Sequence, residues 1–119
     1  MLGSDQRQTL HVLAYMLYRM GQEERAGRLY RGILAMSGDG QPDRLACAGL
    51  AAIDIGRGDG ASALKNLRPV LSNAVLPSRQ AVFLFMKAQA LWLEKREPEA
   101  RAALNEYLFL SSGKRDDAS

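Results

Sequence analysis

Four sets of similar residues recur along this chain at one fixed interval, and that recurrence restricts the fold more tightly than any other feature. Ala26, Ala63 and Ala100 stand 37 residues apart. The same offset superposes Ala14, Ala51 and Ala88, then Tyr30, Leu67 and Leu104, then Ile33, Val70 and Tyr107. A 119-residue chain that repeats itself in this way is built from similar units, none of which can bury its apolar face alone. Helix packing supplies the reason for the pattern. Two antiparallel helices joined by a short turn approach closely only where a side chain is small. The alanines mark those crossings, and the larger apolar residue four positions after the second alanine fills the space beside them. Gly21 and Gly58 fall at the turns inside the first two units, where a left-handed backbone suits glycine. The expected fold class is therefore all-α, with three helical hairpins.

Those hairpins are expected over about 5–36, 42–73 and 78–111. Their helices fall at about 5–20, 22–36, 42–56, 59–73, 78–95 and 97–111. Pro42, Pro77 and Pro98 lie where a first helical turn tolerates a missing N–H. Ser4 or Asp5, Gly40 or Gln41, and Leu76 are the capping positions. Pro69 is the exception, placed where it should kink the fourth helix or start its last part afresh. One domain over 1–110 and a disordered tail over 112–119 complete the expected organisation.

Composition excludes several function classes. Sixteen basic and 13 acidic side chains give a net charge of +3, and they are interspersed, so no basic stripe tracks a phosphate backbone and nucleic acid is not an expected partner. The lone Cys47 rules out an internal disulfide; its neighbours Leu45, Ala46 and Ala48 mark it as a small core residue in a reducing compartment. The longest greasy stretch, Ala81 to Leu93, is interrupted by Lys87 and Gln89 and is too short for a bilayer, which needs about 20 apolar residues. The first residues lack the basic-then-apolar layout of a secretory signal. A single histidine, His11, cannot make a His-rich metal site and reads as an interhelical or groove hydrogen-bonding residue. Gly56-Arg-Gly-Asp-Gly60 has neither a preceding strand nor a following Gly-Lys-Ser/Thr, so it reads as a hairpin turn and not a phosphate loop. Its Arg-Gly-Asp tripeptide would matter only outside the cell. No enzyme activity, metal or cofactor is expected.

The first helix of each hairpin is apolar on more than one side, whereas an ordinary surface helix carries one stripe. Leu10, Leu13, Ala14 and Leu17 form the expected packing face of the first, with Tyr15 and Tyr18 pointing elsewhere. Leu84, Ala88 and Leu91 do so in the third, with Phe85 and Trp92 pointing elsewhere; Ala52 and Ile55 hold the equivalent places in the second.

The run Leu13-Ala14, Leu17, Gly21, Ala26, Tyr30 resembles the tetratricopeptide (TPR) signature. The usual TPR period of 34 implies about three extra residues between hairpins here, around Ser37 to Gly40 and Asn73 to Leu76. Asp54 and Lys87 depart from the pattern, each standing at a position that is usually apolar. Together with the segment Gly21-Gln-Glu-Glu-Arg-Ala26, the closing stretch Glu99 to Leu110 (EARAALNEYLFL) resembles the small TPR chaperones of bacterial type III secretion systems. The likeness is nearest to the chaperone of an early-secreted export-apparatus component. It implies a short right-handed solenoid in the bacterial cytoplasm, heterodimeric with a helical segment of a secreted component and able to meet the export gate protein. It also implies that the first helices line a concave groove, for which the candidate residues are His11, Tyr15, Tyr18, Ala52, Ile55, Phe85, Gln89 and Trp92. Two alternatives stay open: a chaperone of the needle or translocator subunit, and a self-associating scaffold in which these side chains are core or a homodimer interface. No further helix is expected after Leu110, so Tyr107 to Leu110 should stay partly uncovered until a partner docks.

Overall fold

The computed structural model describes residues 3–37, 42–72 and 81–112. Among these residues the chain is all-α, with six helices: α1 (Ser4–Arg19), α2 (Glu23–Ala35), α3 (Arg44–Gly56), α4 (Gly60–Leu67), α5 (Val82–Leu93) and α6 (Glu97–Ser111). Most of the expected inter-hairpin insertions, the capping positions Gly40, Gln41 and Leu76, Pro77, and the tail from 113 onward lie outside the described residues.

The three turns inside the hairpins are copies of one backbone design. Gly21 and Gly58 take positive φ angles of 81° and 78°, and Lys95, one repeat further on, takes φ 60°. In the first turn the Gln22 N–H reaches back to the Leu17 carbonyl at 2.9 Å; Asp59 to Asp54 and Arg96 to Leu91 repeat that bond at the same length. This is the closure of a helix whose last carbonyls are satisfied through a left-handed residue. The next helix then starts at once, with Ala26, Ala63 and Ala100 donating to Gln22, Asp59 and Arg96. The Gly56–Gly60 run belongs to this turn, and Asp59 caps α4 by accepting from the Ser62 N–H at 3.1 Å.

Two helix bounds differ from expectation. α4 stops at Leu67, because Pro69 has no N–H to offer the Lys65 carbonyl; the bonds Arg68 to Leu64 and Leu71 to Leu67 flank the gap, and the chain continues as a turn. α3 starts two residues later than expected, since its cap is Asp43, whose carboxylate accepts from the Ala46 N–H at 3.1 Å. Pro42 consequently precedes the cap. Pro98 does stand in the first turn of α6, and α1 is capped at Gly3, whose N–H donates to Gln6 Oε1.

Each helix packs on its successor, and α3 also touches both α1 and α5, which puts the three first helices in one layer with α3 at its centre. The alanine columns explain how. Ala14 with Ala26, Ala51 with Ala63, and Ala88 with Ala100 share apolar clusters, all buried. Between hairpins the filler is larger. Tyr30 and Ile33 of α2 meet Ala46, Leu50 and Ile53 of α3, and Leu67 of α4 meets Ala90 of α5. Full burial of side chains such as Ile33, Ile53, Leu67 and Leu91 contributes roughly 1.5–3 kcal/mol each. Leu13, expected in the packing face of α1, is instead 46% exposed, and Tyr18, expected to point away, is half-buried against the first cluster. The helix is rotated so that Leu10, Ala14, Leu17 and Tyr18 face inward.

Cys47 is buried where Leu34, Ala48, Val70 and Phe83 converge, a point shared by all three hairpins. Burial first, and the nearby Asp43 charge second, push its thiol up from the ordinary value. A glycine makes the tightest contact between hairpins: a Cβ on Gly49 would clash with the Cζ and both Cε atoms of the Tyr30 ring. Gly49→Ala should therefore destabilise the chain by about 1–3 kcal/mol in urea denaturation. Lys95→Gly should do the reverse and raise stability by about 0.5–1 kcal/mol, since glycine relieves the left-handed strain that the other two turns avoid. An unchanged or lower midpoint for that variant would refute the shared turn geometry.

Candidate functional site

The layer formed by α1, α3 and α5 carries two adjoining apolar clefts. The first, about 450 Å³, lies between α1 and α3 and is lined by His11, Tyr15, Tyr18 and Ala52, together with Val12, Tyr30, Leu45, Gly49 and Met86. The second, about 500 Å³, lies along α5 and α6 and is lined by Ile55, Phe85, Gln89 and Trp92, with Ala88, Leu93, Arg101 and Leu104. All eight candidate residues line one or the other, and they are divided four and four. α3 joins the clefts, for Ala52 and Ile55 stand one turn apart on it and open into different ones. Met86 and Phe85 do the same from α5.

Exposure is shared between aromatic and aliphatic side chains, for Leu45 and Val12 of the first cleft stand more than half in water. Trp92 is 63% exposed and Tyr15 56%, while Tyr18 is half-buried and Tyr30 is almost covered. The three tyrosines of the first cleft stand close enough that burial, then Tyr15 and Tyr18, push the Tyr30 phenol above its ordinary 10.0, so its hydroxyl stays protonated across the physiological range. The His11 ring leans toward it, with centroids 6.2 Å apart and a 50° tilt. In the second cleft Phe85 meets Tyr107 at 5.3 Å and 45°, an aromatic pair that ties α5 to α6 and fixes one wall.

Several lining residues were not among the candidates, and their signals differ. Gly49 and Leu45 stand one and two turns before Ala52 on α3 and follow from helical spacing. Leu104 was read as core because it shares a column with Tyr30 and Leu67. Those two are covered by the first helix of the next hairpin, but no described helix follows α6, and Leu104 remains 37% exposed.

A polar cluster adjoins the first cleft at His11. His11 Nε2 lies 3.0 Å from Asp43 Oδ2, and Arg7 Nε stands 3.9 Å from the same oxygen. Asp43 is thus shared between capping α3 and holding α1. Burial raises its carboxyl, but the hydrogen bonds from His11 and the Ala46 N–H, with the His11 and Arg7 charges, outweigh burial and leave it below the ordinary 3.8. Asp54, the polar residue at an apolar repeat position, accepts from Asn66 at 2.7 Å and so bonds α3 to α4. Burial raises its carboxyl, and Asp59 adds to the rise. Chemically the clefts offer an apolar surface with few directed groups: Arg101, the charged residue of the second, is paired with Glu97 at 2.6 Å. Among the described residues no group of three His, Cys, Asp or Glu side chains is placed to hold a metal ion, and no helix is long and apolar enough to cross a membrane.

Because the folded pKa of Asp43 is depressed, its stabilising contribution is complete above the ordinary carboxyl value of 3.8 and disappears as pH falls through the lower folded value. Asp43→Ala should therefore cost about 1–2 kcal/mol at neutral pH. The difference from the parent chain should shrink in denaturation at acid pH; a gap that stays constant below pH 3.8 would contradict the assignment.

No protein-family model, curated protein or solved structure matches this chain.

Proposed function

We propose that this protein is a TPR-type chaperone of a bacterial type III secretion system, which binds a helical segment of a secreted export-apparatus component in the cytoplasm and presents it to the export gate. In this reading the three hairpins form a short right-handed solenoid and the layer of α1, α3 and α5 is its concave face. The observation that carries the proposal is the row of exposed aromatic and apolar side chains along the two adjoining clefts, with Trp92 and Tyr15 more than half exposed. Tryptophan and tyrosine supply large contact area at small conformational cost, and they dominate binding where a partner excludes water. An amphipathic helix laid across α3 would fill both clefts through residues spaced along one of its faces. A standard interface of about 800 Å² per partner suffices for such a complex.

The mechanism is passive. The clefts have no directed acid, base or nucleophile constellation among their lining residues, so the work they can do is to cover an apolar segment that would otherwise aggregate. Release then requires that another surface compete for the cargo.

Co-expression with the neighbouring secretion genes, affinity capture, and mass spectrometry of whatever co-elutes at equal stoichiometry test the reading directly. A small secreted component in a one-to-one complex is the expected result. Capture of a needle or translocator subunit would reassign the cargo, and a stable homodimer closed through the clefts would sink the proposal. Trp92→Glu or Tyr15→Glu should abolish capture, with a loss of at least 2 kcal/mol in binding, while circular dichroism stays unchanged because both side chains are already largely in water. Loss of folding in these variants would mean that the row is core.

A further inference from the structure

The repeat gives the two ends of the described chain complementary faces. At the 37-residue offset, Leu13 and Met16 of α1 correspond to Leu50 and Ile53 of α3. The α3 pair is 8% and 2% exposed because α2 covers it, whereas Leu13 and Met16 are 46% and 52% exposed. The far end shows the counterpart. Leu104 and Leu108 of α6 correspond to Tyr30 and Leu34 of α2, and to Leu67 and Leu71 in the second hairpin. Tyr30 and Leu67 are 6% and 1% exposed because the next hairpin's first helix covers them; Leu104 and Leu108 are 37% and 53% exposed. α1 thus presents the ridge that α3 gives to α2, and α6 presents the ridge that α2 gives to α3.

We propose that these faces belong to each other, with α1 of one copy docking on α6 of a second copy so that the inter-hairpin interface continues from chain to chain. The residue sizes are compatible with that continuation. Tyr30 sits on Gly49 between the first and second hairpins, and Leu67 shares a cluster with Met86 between the second and third. The pair that the same offset brings together between copies is Leu104 with Val12, two side chains of intermediate size. A contact between two different faces is heterologous, so it propagates instead of closing on a two-fold axis. One helix-on-helix crossing is smaller than a standard interface, so assembly is weak and depends on concentration. Leu13, Met16 and Leu108 lie outside both clefts, whereas Val12 lines the first and Leu104 the second. Assembly is therefore tested at Met16 and Leu108, where a substitution leaves the cleft linings untouched.

Sedimentation velocity of the full chain from low micromolar to millimolar concentration tests it. The average mass should rise with concentration and pass that of a dimer. Met16→Glu and Leu108→Glu should each hold the chain monomeric with unchanged helicity, since both side chains are about half exposed in the single copy. The decisive arm mixes the two variants in equal amounts. Each retains the face that the other has lost, so the mixture should form a dimer and nothing larger. A wild-type chain that stays monomeric throughout, a Leu108→Glu variant that still dimerises through α1 alone, or a mixture that remains monomeric would overturn the proposal.

Discussion

Close approach of two helices at a pair of alanines is the constraint on which the rest of this molecule depends. Each hairpin is held at one such crossing, where neither side chain extends beyond a methyl group and the backbones come near enough for their flanks to interlock. A larger side chain at Ala14 or Ala63 would push the helices apart, and the residues packed beyond them, Tyr30 and Leu67, would lose their seats. The identical turns reinforce the crossing by fixing where the second helix begins relative to the end of the first. Stability is therefore distributed over repeated small contacts, with adjacent units sharing residues across each junction.

That regularity is why the helical class, the hairpin pairing and the alanine crossings were legible in the sequence. Small residues at a fixed interval have few uses other than close packing, so Ala26, Ala63 and Ala100 identified their own role. The end of α4 was less legible, because Pro69 could kink a helix or finish it, and only the missing hydrogen bond to Lys65 decides between them. The cap of α3 was misplaced for a related reason: proline suggested the first turn, while Asp43 one position later offered the better acceptor and also a partner for His11. The rotation of α1 was hidden as well. Leucine and tyrosine are both apolar enough to face inward, and the choice of Tyr18 over Leu13 depends on how α2 sits against α1 in three dimensions.

The candidate site was legible as a set of residues and not as a shape. Aromatic side chains left over after the packing face is assigned point to a surface of interest, and all eight lie along the layer of α1, α3 and α5. What the sequence does not carry is the division into two clefts, in which Ala52 and Ile55, one turn apart along α3, line different ones. Leu104 shows the limit of the repeat as a guide. Equivalent positions share an environment only where equivalent neighbours surround them, and among the described residues the last unit has none on its outer side.

Cys47 adds a property of a different kind. Its thiol is enclosed by side chains from all three hairpins, and burial keeps it protonated as well as covered. Since the thiolate is the reactive form, a thiol-specific reagent has two barriers to cross, and both fall together when the hairpins separate. The rate at which such a reagent labels the native chain thus measures how often the junction opens. The protein carries within its own sequence a chemical clock for the breathing of its core, and no probe has to be added to read it.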